Sequence, residues 1–179
     1  MKNNPPAKNS HNEFQDMINT LKKKLKYYKK REKKFEMATL LKDMGIGCIK
    51  YEPSKAFEYL NRSLDLLKKI KSEEKYSESK IANLQSEILF DIGTLYQRQN
   101  KNKKALKYLK KAEKNCRKTS NQILAAAIAS SMLKIQTATQ YSENSREKSV
   151  KDRYRYMWLY FLLSILPWIF IIILFFITF

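Results

Sequence analysis

The sequence predicts an all-α protein, a stack of helical hairpins followed by a single C-terminal transmembrane helix. Three observations predict it. The 179 residues include only three Gly and four Pro, too few for a β-rich or loop-rich chain. Apolar residues recur at three- and four-residue steps through most of residues 13–140, the period of helices that bury one face. Residues 157–179, MWLYFLLSILPWIFIIILFFITF, contain no Asp, Glu, Lys, Arg or His. At about 1.5 Å per residue that helix reaches roughly 35 Å, enough to cross a hydrocarbon core of about 30 Å.

Residues 1–12, MKNNPPAKNSHN, are polar and carry Pro5 and Pro6, so a disordered tail is expected there. A basic amphipathic helix is expected over residues 13–34. Phe14, Met17, Ile18, Leu21 and Leu25 mark its apolar face. Its other face holds Lys22, Lys23, Lys24, Lys26, Lys29, Lys30, Arg31, Lys33 and Lys34 against a single acid, Glu32. Such a face suits anionic lipid or an acidic protein surface. It equally suits a packing helix whose solvated side happens to be rich in lysine. Tyr27 and Tyr28 interleave with the charge, but no nucleic-acid-binding motif accompanies them, so nucleic acid is not an expected partner.

Residues 35–140 read as one helical domain. Phe35, Ala38, Leu41, Met44 and Cys48 share a helix face, and Gly45 and Gly47 inside it suit a close approach of helices. Pro53 fits the first position of the next helix, whose apolar face is Ala56, Tyr59, Leu60, Leu64 and Leu67. After a polar break at residues 71–79 comes a helix to about Gln99, then a polar turn at 100–103. The partner helix over 104–118 faces Ala105, Leu106, Tyr108, Leu109, Ala112 and Cys116 inward. Residues 121–140 are Ala-rich and read as a capping helix. Residues 141–156 form a basic polar linker.

The formal net charge of +19 lies wholly ahead of residue 157 and favours acidic partners. Of the 36 basic residues 29 are Lys, and Asn is plentiful, a composition that AT-rich coding also produces; charge alone therefore fixes no function. Cys48 and Cys116 sit in apolar helical patterns and read as buried reduced thiols. His11, the only histidine, lies in the polar tail, which speaks against a His-based metal site or a catalytic triad. The carboxylates Asp65, Glu73, Glu74, Glu78, Glu87 and Asp91 are scattered on faces that read as solvated, and there is no phosphate-binding Gly loop. Neither an enzyme nor a cofactor or metal is expected.

Residues 86–118 resemble a tetratricopeptide repeat. Ile92-Gly93, Tyr96, Ala105, Leu109 and Ala112 fall at that family's spacing, small residues standing where helices touch. Met44-Gly45, Ala56, Leu60 and Ser63 form a looser earlier copy. Its Gly-to-Ala interval is 11 residues instead of 12, and Cys48 stands in the aromatic position. Ala56 and Ala105 are 49 residues apart, against a usual period of about 34. The family's Trp and closing Pro are missing from both copies. The resemblance implies a groove lined by the first helix of each pair, able to take a peptide or protein partner. It places Lys42, Ile46, Ile49 and Lys50, then Glu87, Phe90, Thr94, Gln97 and Arg98, toward that groove. The Lys–Asn pair of chaperone-tail binders is absent, because Lys42 is followed one turn on by Ile46 and Phe90 by Thr94.

The uncharged end reads as a tail anchor in a lipid bilayer. Tyr154, Tyr156, Trp158 and Tyr160 suit the headgroup level. Arg146, Lys148, Lys151, Arg153 and Arg155 suit the cytoplasmic side. The layout is similar to organelle-fission adaptors and tail-anchored import receptors. Outer-mitochondrial tails of those families end in basic residues, whereas this one ends LFFITF. The expected location is therefore the endoplasmic reticulum or a prokaryotic plasma membrane, with the helical domain cytoplasmic. The expected function is a membrane-tethered adaptor that captures a protein or peptide. The alternative is a membrane-surface scaffold that grips anionic lipid through the polybasic helix. The sequence leaves homo-oligomerisation open.

Overall fold

Each apolar stripe between residues 14 and 116 becomes the buried face of a helix. The structure, a computed structural model, describes the backbone of residues 7–70 and 76–178 and the side chains of residues 11–70 and 76–166. The chain is all-α: α1 (Ala7–Lys30), α2 (Lys34–Cys48), α3 (Pro53–Ile70), α4 (Glu78–Arg98), α5 (Asn102–Cys116) and α6 (Gln122–Thr178). It divides into two units, Met1–Ile135 and Gln136–Phe179.

In the first unit α1 packs on α2, α2 on α3, α3 on α4 and α4 on α5, with α2 also touching α4. A groove over α2 separates α1 from α3, and another over α4 separates α3 from α5. The unit therefore has an inner layer of α2 and α4 and an outer layer of α1, α3 and α5. Ile128 and Ile135 of α6 are buried with Leu89, Leu109, Ala112 and Cys116, so residues 122–135 close the end of the core.

The two hairpins, α2–α3 and α4–α5, are built alike. A Cβ on Gly45 would lie 2.7 Å from Leu60 Cγ and 3.3 Å from the Ala56 carbonyl oxygen. A Cβ on Gly93 would lie 2.9 Å from Leu109 Cγ and 3.5 Å from the Ala105 carbonyl oxygen. The missing side chain is what lets each pair of helices come together. Seven residues before each glycine lies a second crossing. In the first hairpin Ser63 Oγ donates to the Ala38 carbonyl at 2.6 Å; in the second Ser86 Oγ donates to the Ala112 carbonyl at 2.6 Å. Ser63 corresponds to Ala112 and Ala38 to Ser86. Each crossing thus has one Ser and one Ala, in exchanged places. Both hydroxyls are fully buried and both are bonded.

Helix ends follow local chemistry. Pro53 opens α3 at the position where its missing N–H costs nothing. Glu32 (φ 53°) and Asn100 (φ 57°) take the left-handed conformation after α1 and α4, and the next amides, Lys33 N and Lys101 N, donate back to the Tyr28 and Tyr96 carbonyls. Two boundaries differ from the sequence expectation. Residues 7–12, expected to be disordered, form the first turns of α1. Here the His11 ring meets Phe14 and Tyr51, with centroids 6.0 and 5.8 Å away. The expected disorder of residues 1–6 lies outside the described residues. Further on, α4 starts at Glu78 under a cap from Ser77, whose Oγ accepts from Lys80 N at 3.3 Å. The cap needs only that one acceptor.

In the second unit the described side chains are almost all exposed. From Tyr154 to Leu163 they are so on every face of the helix. Among the described residues no helix is long and apolar enough to cross a membrane. Only residues 157–166 of the span expected at 157–179 have described side chains; those of 167–179 lie outside.

Candidate partner-binding cleft

The inner layer brings α2 and α4 side by side, and a polar chain crosses between them. Lys42 Nζ donates to Glu87 Oε2 at 2.6 Å, with the two side chains 16% and 29% exposed. Asn83 Nδ2 donates to the other carboxylate oxygen, Oε1, at 2.8 Å. Asn121 Nδ2 donates to Asn83 Oδ1 at 2.9 Å, and Asn121 Oδ1 caps α6 by accepting from Leu124 N at 3.0 Å. The chain joins both hairpins to the start of α6. Above it opens a cleft of about 460 Å³ whose walls include Phe35, Thr39, Lys80 and Ser120. Lys80 covers the Phe35 ring at 4.7 Å.

One turn beyond Glu87, burial pushes the Asp91 carboxyl up to about 6, against the pull of the Lys42 ammonium and with added repulsion from Glu87 and Asp43. Asp91 and Glu87, expected on solvated faces, are therefore half-buried groups of one cluster. α2 lies alongside and removes water from them. Glu73 and Glu74 lie outside the described residues.

The expected groove residues divide. Lys42 and Glu87 meet directly. Ile46 is exposed (44%) and does not line the cleft. Ile49 and Phe90 are half-buried and pack against the core, so they are committed to the fold. The Thr94 hydroxyl donates to the Phe90 carbonyl at 3.0 Å. Gln97 is half-buried, Arg98 is exposed, and Lys50 is exposed with its ammonium 5.1 Å over the Tyr51 ring. Asn83, Asp91 and Asn121 were not legible as site residues. Asn121 alone carried a local signal, a capping residue just ahead of an apolar run.

On α1, Phe14 and Ile18 are buried against the core, and Met17 reaches α2 at Gly47, where a Cβ would lie 2.7 Å from Met17 Cε. The apolar face is thus taken up by packing. Lys22, Lys23, Lys24, Lys26, Lys29, Lys30, Arg31 and Lys33 are exposed, and Lys34 is half-buried. Cys48 and Cys116 are buried free thiols, and burial raises the Cys48 pKa. Among the described residues no group of His, Cys, Asp or Glu could hold a metal ion. In comparisons with known proteins, no family model, no curated protein and no solved structure matches the chain.

Proposed function

We propose that the chain is a membrane-tethered adaptor of tetratricopeptide-repeat type that holds a peptide or protein partner in its inner-layer cleft. The observation that carries this reading is the polar chain from Lys42 through Glu87 and Asn83 to Asn121. It orders side chains of α2, α4 and the residue that caps α6 around one open cleft, with the half-buried Phe35 ring in its wall. A groove of this kind recognises an extended segment through a few fixed polar groups and an apolar contact. The adaptor acts by binding, with no catalytic step.

The tether rests on the second unit. Met157, Trp158, Leu159, Phe161, Leu162 and Leu163 are exposed around the whole helix. A helix apolar on all sides is stable when buried in protein or lipid. With the uncharged residues up to 179 it reads as the beginning of a bilayer span. The basic residues ahead of it favour a cytoplasmic first unit, with the endoplasmic reticulum or a prokaryotic plasma membrane as the proposed location.

Two variants test the two halves. The full chain should stay with membranes after an alkaline wash, and a chain ending at Val150 should be released. Ser79→Trp with Ser120→Trp, two exposed residues in the cleft wall, should abolish partner recovery without lowering the melting temperature. Release of the full chain contradicts the tether; undiminished recovery contradicts the cleft.

A further inference from the structure

Charge is divided between the layers of the first unit. The inner helices α2 and α4 carry four basic and five acidic residues, whereas the outer helices α1, α3 and α5 carry 17 basic and five acidic. A coding habit alone would put lysine on every exposed helix face. Yet α4 has one lysine in 21 residues and α5 has six in 15, so position decides where lysine occurs.

On α5, Lys103, Lys107, Lys110 and Lys114 recur at steps of four, three and four, forming a row about 16 Å long on the exposed side. Among the described residues none of the four has a carboxylate partner. Lys22, Lys26 and Lys29 repeat the steps on α1. Between these helices, α3 is compensated: Lys55 pairs with Glu52, Arg62 with Glu58 and Lys68 with Asp65. The uncompensated charge therefore includes two rows of lysine on one layer.

We propose that this outer layer is a docking face for an anionic lipid surface. The lipid choice rests on the tether reading, which keeps the chain at a bilayer. Two features favour lipid over single-stranded nucleic acid. Bases need free aromatic faces to stack on. Tyr108 is already stacked on Tyr96 at 5.3 Å, and Tyr27 carries the Arg31 guanidinium at 4.0 Å. Because the apolar stripe of α1 is buried on α2, the contact is electrostatic without insertion. Salt should reverse it. The inner cleft then remains open to a partner while the opposite layer faces the headgroups.

The test reconstitutes the full chain into neutral phosphatidylcholine vesicles and into vesicles with about one third phosphatidylserine. An uncharged amine reagent reports the labelling rate of each lysine. Lys107 and Lys110 should label about tenfold more slowly on the anionic vesicles, recovering in about 0.5 M salt. Lys80, in the inner layer, should label equally on both. Reversing the α5 row (K103E, K107E, K110E, K114E) should also remove the slowing at Lys26, since the two rows act together. Equal rates on both vesicles overturn the proposal. So does slowing by a polynucleotide on neutral vesicles with none from phosphatidylserine. Release of the chain by alkali contradicts the tether alone. The same labelling comparison on chain added from solution still decides the docking.

Discussion

The exchanged Ser–Ala crossings allow one hairpin to be rewritten as the other. Ser63→Ala removes a buried 2.6 Å bond to the Ala38 carbonyl. Ala38 is helical, so its carbonyl keeps the bond it accepts inside α2. The loss is therefore one net hydrogen bond and an oxygen-sized void, about 1–2 kcal/mol. Adding Ala38→Ser puts a hydroxyl on the other side of the same gap, as Ser86 stands opposite Ala112. The double variant should recover most of the loss, to within about 0.5 kcal/mol of the parent. Urea melts of the full chain in a nonionic detergent, followed by circular dichroism, read this out as a fall in midpoint and its return at unchanged slope. Ala38→Ser alone should destabilise, because two hydroxyls then compete for one space. If the double variant is weaker than Ser63→Ala, the crossings are not equivalent and the repeat argument fails at its best-defined contact.

Asp91→Asn should stabilise the protein at neutral pH. An acid raised in the folded state keeps its proton there longer, so stability rises as pH falls from 7 through about 6 toward 4. Above pH 7 the ionised group costs up to about 3 kcal/mol. The Asn variant should gain about 1–3 kcal/mol at pH 7.5 and little at pH 4 in paired urea melts; an equal gain at both pH values would sink the burial argument. Glu32→Gly relieves a left-handed backbone and should raise stability by about 1 kcal/mol, whereas Glu32→Val should lower it. Lys42→Met should lower stability by about 1–3 kcal/mol, because Glu87 and Asp91 lose their shared cation. Adding Glu87→Gln should restore part of it, as a double-mutant cycle would show.

The helices were legible because their apolar positions repeat with one period, and the hairpins because Gly45 and Gly93 precede Ala56 and Ala105 at nearly equal intervals. What escaped depends on neighbours in space. The early start of α1 hangs on His11 meeting Tyr51, forty residues away in the chain. Asp91 looks solvated until α2 lies beside it. The Ser–Ala exchange joins residues 25 and 26 apart and has no signature in either segment alone. On α5 the inward face was readable at Ala105, Leu109, Ala112 and Cys116, whereas Leu106 and Tyr108, also expected inward, are half-buried at its flanks. The remaining lysines look like ordinary solvated surface until the outer layer is assembled. The resemblance puts Ile49 and Phe90 toward the groove, and packing draws both toward the core.

Site-specific photo-crosslinking from Ser79 in native membranes tests the central claim most directly. Ser79 is exposed and stands in the cleft wall with Lys80 and Asn83. The account predicts a discrete protein adduct from Ser79 that disappears with Ser120→Trp, and none from Lys103 on the outer layer. No adduct from Ser79, or the same adduct from both positions, would contradict a partner held in the inner cleft.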